Sequence, residues 1–268
     1  MDGASPLQIL EFYAAAGIDL AIGDTAVNRF APEPSLLPEQ AAAPRADAQD
    51  RAAAPKAAAP RPATPPPPDD AAGEARRLAA SAPDLATLET LLAAFEGCAL
   101  KATASRLVFA DGNPAGRVMI IGEAPGREED ETGRPFVGRA GRLLDRMLAA
   151  IGLDRSGVYI ANVVPWRPPG NRTPTPQEIA ICLPFIRRQI ALAAPELLVT
   201  MGAPASQNLL GQKDGILRLR GRWFDCEIEG RKIPALATLH PAYLLRQPAQ
   251  KALAWRDMRA LKARLDPR

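Results

Sequence analysis

The stretch Val118-Met119-Ile120-Ile121-Gly122-Glu123-Ala124-Pro125-Gly126 sets the fold: four consecutive apolar residues run straight into a glycine-bearing, acidic turn. A run this short and this uniformly apolar reads as a strand buried on both faces. Three further runs share the design, Val158 to Ala161, Leu197 to Met201 and Ala235 to Leu239. They are followed by Asn162, by Gly202-Ala203-Pro204, and by His240-Pro241-Ala242-Tyr243. Helical patterns separate the runs. Leu143, Leu144, Met147, Leu148 and Ile151 mark one helix, and Thr175-Pro176-Gln177-Glu178 opens another as a capping box with proline at its first position, with a bend expected at Pro184. Ala75 to Phe95 reads as helix broken near Ala82-Pro83-Asp84, Leu217 to Ile228 as a hairpin, and Gln247 to Leu265 as the last helix. Four strands joined by helical crossovers predict an α/β fold, a three-layer α/β/α domain around a mostly parallel four-stranded sheet.

Outward from this core the composition changes. Residues 31–72 hold 11 Pro and 15 Ala without one aromatic residue, which cannot bury a core and predicts a disordered, extended linker. Before it, Leu7, Leu10, Phe12, Tyr13 and Leu20 suggest one amphipathic helix, which either docks on the main domain or captures a protein partner. The expected organisation is an N-terminal helical segment (1–30), a linker (31–72) and a catalytic domain (73–268). The charge divides along the same line. Residues 1–72 carry 5 Lys and Arg against 10 Asp and Glu, whereas residues 73–268 carry 28 against 20, and 23 of those cations are arginine. A basic, arginine-rich domain suits a polyanion such as nucleic acid, although an Ala- and Arg-rich genome produces the same bias.

Some classes are excluded at this level. No stretch of eighteen apolar residues is present and Asp2 stands where a secretory signal would be basic, so a soluble, cytoplasmic protein without a membrane role is expected. Cys98, Cys182 and Cys226 form no CxxC pair and suggest buried, reduced thiols. Gly122 to Gly126 lacks both the Lys-Ser/Thr ending of a phosphate loop and the spacing of a dinucleotide fingerprint.

In open parallel sheets, ligands bind in the crevice beyond the carboxyl ends of the strands, so the four polar segments converge on one pocket. It holds a carboxylate (Glu123), an amide (Asn162) and the only histidine (His240). A carboxylate can position water or stabilise a developing cation, an amide can read a planar edge, and a histidine can hydrogen-bond a departing anion. That set suits glycosidic or acyl hydrolysis.

Four segments in register carry a resemblance: Gly122-Glu123-Ala124-Pro125-Gly126; Thr132-Gly133-Arg134-Pro135-Phe136-Val137-Gly138-Arg139-Ala140-Gly141; Asn162 with Arg167-Pro168-Pro169-Gly170-Asn171-Arg172; and His240-Pro241-Ala242-Tyr243-Leu244-Leu245-Arg246. Together, over about residues 85 to 262, they resemble family-4 uracil-DNA glycosylases. The resemblance implies an enzyme that flips uracil out of DNA and hydrolyses its N-glycosidic bond in base excision repair, acting as a monomer. It implies that Phe136 stacks on the base, that Asn162 reads its polar edge beside Gly122, and that Glu123 holds or activates the attacking water. His240 would bond the oxygen on which charge accumulates, and Glu129 would exclude a C5 methyl. Leu244 or Leu245 would wedge the duplex, with Arg139, Arg172 and Arg246 near phosphates. The bland counterparts are a core aromatic, a turn asparagine and a solvated acidic loop.

The departures are as informative. Most family-4 enzymes bind an iron-sulfur cluster through four cysteines, of which only Cys98 and Cys182 match; Phe95 and Trp166 stand at the other two positions. A cubane needs four thiolates, so no cofactor and no metal are expected, with aromatic packing in place of the cluster. A subgroup that traps its product through a histidine in an inserted loop is also not matched by Val137 to Leu143, so turnover is expected. The alternatives are a glycosylase of other deaminated bases such as hypoxanthine, a non-catalytic DNA-binding scaffold, and, more distantly, a phosphate-binding hydrolase of similar outline.

Overall fold

The computed structural model describes residues 68–266 of the chain. The expected helix within residues 6–27, and the linker up to residue 67, lie outside them. Helix α1 (Pro68–Ser81) opens inside the stretch assigned to the linker, so the folded part begins a few residues earlier than residue 73. Pro83 separates it from α2 (Leu85–Ala94), whose first turn is capped by Asp84 accepting a bond from the Thr87 amide at 2.7 Å.

The sheet has six strands rather than four. β1 (Asp111–Gly112), β2 (Val118–Gly122), β3 (Val158–Asn162), β4 (Leu197–Met201), β5 (Trp223–Ile228) and β6 (Arg231–Thr238) lie in the order β1-β3-β2-β4-β6-β5. The inner four are parallel and are the four apolar runs of the sequence. The two added strands are short or amphipathic and pair antiparallel at the edges, where no continuous apolar run is needed. The expected hairpin at Leu217 to Ile228 is corrected as well. After α6 (Ala203–Leu210), its first residues form a helical turn, α7 (Ile216–Leu219), and the hairpin joins β5 to β6 through Glu229 and Gly230, both at positive φ (47° and 78°).

Alternation along each inner strand divides the core. Met119, Ile121, Ala161, Leu198 and Ala235 face α1, α2 and α5 (Pro176–Ala193), while Val118, Ile120, Val158, Ile160 and Val199 face α4 (Arg139–Ala149) and α9 (Lys251–Leu265). Two buried layers on one sheet give the three-layer architecture. The capping box at Thr175 forms as expected, with Glu178 returning a bond to the Thr175 amide at 2.7 Å.

Topology then fixes where the site lies. The chain passes from β2 to β3 on one side and returns to β4 on the other, so the crossovers part between β2 and β4. Gly122 is level with Asn162, and Met201 with Thr238. The pairing continues past the strand ends through Val163 to Gly122 and Val164 to Glu123, both at 3.0 Å, which fixes the backbone under Glu123.

Candidate active site

Gly122 is the point of closest approach. A Cβ there would lie 2.4 Å from Asn162 Oδ1 and 2.6 Å from Phe136 Cζ, so only glycine lets the amide and the ring meet at the end of β2. Asn162 and Phe136 are each 5% exposed. The Phe136 ring in turn faces the His240 imidazole, with centroids 5.4 Å apart and planes inclined by 27°. Three residues drawn from three separate loops therefore form one contiguous cluster.

A cavity of about 510 Å³ opens beside this cluster, walled by Glu123, Gly126, Asn171, Thr173, Gly202 and His240 among others. Burial pushes the Glu123 carboxyl above its ordinary value, against the pull of a hydrogen bond from Thr173. His240 caps α8 (Pro241–Arg246), its Nδ1 accepting the Ala242 amide at 3.1 Å. Burial, aided by the Arg246 charge and opposed by Glu129, pushes its pKa down to about 4. The imidazole is therefore neutral at physiological pH, and because Nδ1 accepts, the proton resides on Nε2.

The segment bearing Phe136 is shaped by polar contacts. Phe136 has φ of 55°, in the left-handed region where bulky residues rarely sit. Glu129, in α3 (Arg127–Thr132), accepts the amides of Val137 and Gly138 on Oε1 at 3.0 Å each, and the Gly126 amide on Oε2 at 3.1 Å. The carboxylate is thus engaged with three backbone groups that join the first two loops. The sequence signal was a glutamate three residues after Gly126, half of a capping box, obscured because glycine rather than serine precedes it. Sequence reasoning missed Thr173, whereas Gly202-Ala203-Pro204 lines the cavity as its place after β4 led one to expect.

The remaining expected residues divide. Leu244 is 1% exposed and packs in the core, whereas Leu245 is 36% exposed at the surface of α8. Arg246 lines the cavity and Arg139 is exposed at the start of α4. Arg172 also lines it, but its guanidinium is paired with both Glu178 oxygens at 2.6 and 2.9 Å.

At the corner where the resemblance implies an iron-sulfur cluster, the residues do not fit one. Cys182 and Cys98 are in direct thiol contact at 3.9 Å, and Phe95 and Trp166, each 2% exposed, belong to the same apolar core. Phe95 packs on Phe185 of α5 with ring centroids 5.3 Å apart. The hydrogen bond that Cys182 donates to Cys98, together with burial, holds the Cys182 thiol well above its ordinary pKa. Two thiols and two aromatic rings are not the donor set of a cubane.

These features have counterparts among known proteins. Residues 109–259 match the model of the uracil DNA glycosylase superfamily. The chain is 46% identical over 150 residues to a type-4 uracil-DNA glycosylase of Thermotoga maritima, covering 56% of this chain and 77% of the relative. It is 42% identical over 155 residues to a type-4 uracil-DNA glycosylase of Archaeoglobus fulgidus (56% and 78%) and 39% identical over 179 residues to one of Pyrobaculum aerophilum (65% and 91%). With more than half of its length matched by that model, this chain belongs to the uracil DNA glycosylase superfamily.

Proposed function

We propose that this protein is a monofunctional uracil-DNA glycosylase that extrudes uracil from DNA and hydrolyses its N-glycosidic bond, leaving an abasic site with the strand intact. The observation that carries the reading is that Phe136 meets Asn162 at Gly122 and the His240 imidazole on its face, which gathers three chemically different groups beside one cavity. Phe136 supplies the stacking face and Asn162 the edge reading. A base sandwiched between the Phe136 and His240 rings would need about two van der Waals gaps, roughly 7 Å. At 5.4 Å no base fits between the two rings, and His240 is assigned to the edge of the base. There its Nε2–H donates to the carbonyl that gains charge.

The bond from the sugar anomeric carbon to uracil N1 breaks with its electron pair leaving on the base, and the neutral His240 donor stabilises that anion. Water oxygen then bonds to the anomeric carbon of the cation-like sugar. Glu123 orients this water and accepts its proton, and a carboxyl raised by burial is a stronger base for that step. Glu129 acts through the loop it holds: with its oxygens bonded to backbone, exclusion of a C5 methyl comes from the rigidity of Val137 and Gly138. Leu245, the exposed leucine, is assigned the wedge, and Arg139 and Arg246 phosphate contacts, with Arg172 braced behind them by Glu178.

The catalytic part corresponds to the folded residues from Pro68 onward and works without a cluster, as a monomer, in the cytoplasm. Among the described residues no group of three or more His, Cys, Asp or Glu is placed to hold a metal ion, and no helix is long and apolar enough to cross a membrane. The deciding experiment incubates the protein with a uracil-containing oligonucleotide and then cleaves abasic sites with alkali. The wild type is expected to yield strand breaks only after alkali, with release reduced about 100- to 1,000-fold in His240→Ala and strongly in Asn162→Ala. Uracil DNA left intact by the wild type would end this reading.

A further inference from the structure

Arg155 lies in the turn Arg155–Gly157 before β3, outside every segment that carries the resemblance. Its partly buried guanidinium nevertheless reaches the Phe136 loop. Nη2 donates to the Phe136 carbonyl and Nη1 to the Pro135 carbonyl at 3.2 Å. The fork is oriented by two carboxylates: Nε bonds Asp145 at 2.8 Å, and Nη1 also bonds Asp111, which Arg134 grips through both oxygens at 3.0 Å.

Together with Glu129, this arrangement takes hold of Phe136 on both sides. The anion accepts the two amides that follow the residue, and the cation bonds its own carbonyl and the one before it. A left-handed conformation at a bulky residue costs on the order of 1–3 kcal/mol and persists only where its surroundings over-determine it. The backbone of α4 closes a third side, since a Cβ on Gly141 would lie 1.6 Å from the Phe136 oxygen. Without the guanidinium, both carbonyls lose a charged donor and the strained residue is free to relax toward negative φ, turning its ring away from Gly122.

We infer that Arg155 is a positioning residue for base release, acting on the reaction through the backbone of Phe136. The inference rests on the reading of Phe136 as the stacking ring. A double-mutant cycle tests it, with single-turnover uracil release and binding of product DNA measured for Arg155→Ala, Phe136→Ala and the double variant. Arg155→Ala is expected to slow release about 10- to 100-fold, as a misplaced contact does, with product-DNA affinity changed less than about twofold. Added to Phe136→Ala it is expected to cost nothing further, because its effect is transmitted through a ring already removed. Arg155→Lys keeps the charge between Asp111 and Asp145 without a fork to span both carbonyls, and should slow release by an intermediate factor while retaining the thermal midpoint. Should Arg155→Ala fail to fold, Arg155→Lys takes its place in the cycle.

Losses that multiply in the double variant would overturn the inference, as would full activity in Arg155→Lys. Full activity in Phe136→Ala would instead overturn the stacking reading itself.

Discussion

Phe136 and Phe95 are both buried phenylalanines, yet they are held in opposite ways. Phe95 has an ordinary backbone (φ −68°) and is fixed by what its ring touches, Phe185 and the surrounding apolar core. Phe136 sits at φ 55° and is fixed by what its backbone touches, Glu129 on the amide side and Arg155 on the carbonyl side. The first arrangement spends the ring on stability. The second holds the ring through its backbone, with the His240 imidazole beside it, at the cost of strain and of partly buried charges.

The largest effects expected from this contrast are reciprocal. In Gly122→Ala the new methyl meets the Asn162 amide oxygen and the Phe136 ring, both movable side-chain atoms, so the fold adapts while the reading group is displaced. Uracil release should fall about 100-fold or more with a small change in thermal midpoint. Trp166→Ala removes a side chain that is 2% exposed, and should cost about 3–5 kcal/mol in denaturant unfolding while leaving single-turnover release per folded molecule within severalfold of wild type. If Trp166→Ala lost activity in proportion to Gly122→Ala, the corner and the site would be one mechanical unit and the contrast would fail.

A smaller effect separates packing from metal at the same corner. With two thiols in contact and aromatic rings at the other two positions, Cys182→Ala should cost about 1 kcal/mol, the scale of one buried methylene-sized group. An iron chelator should leave both the thermal midpoint and uracil release unchanged. Loss of folding in Cys182→Ala, together with visible absorption and iron in protein purified without oxygen, would show that the corner is held by ligation.

The scaffold was legible because each inner strand is apolar on both faces, a pattern with few alternative readings. Gly122, Asn162 and His240 were legible by position, since the ends of parallel strands must converge. The edge strand β1 was not, because it is two residues long, and β5 was read only as part of a hairpin placed too early, because it alternates in burial without a continuous apolar run. Arg155 and the backbone role of Glu129 were also hidden. Both bond main-chain groups, and a residue that recognises backbone leaves no requirement on its partner's side chain for a sequence to display.

The finest distinction between the two regions is in their response to acid. At the corner the thiol pair is split, Cys98 lowered by its bond with Cys182 and Cys182 held well above its ordinary value. The site responds instead through His240 and Glu123. An unfolded chain protonates His240 near 6.5, whereas the folded imidazole stays neutral down to about 4. Between those values the unfolded state binds the extra proton, so this residue's contribution to stability is present above 6.5 and is lost as the pH falls toward 4. Glu123 works in the opposite sense: its raised carboxyl holds a proton more tightly in the folded state, so its contribution favours folding at low pH and is lost as the pH rises through its folded value. The midpoint of His240→Gln should therefore fall less than that of wild type on acidification through this window, and that of Glu123→Gln should fall more. Uracil release should show no inflection near 6.5, and its acid limb should lie above the ordinary glutamate range, where Glu123 becomes protonated. An inflection near 6.5 that vanishes in His240→Gln would mean that the imidazole titrates as if exposed, contrary to its burial in the site.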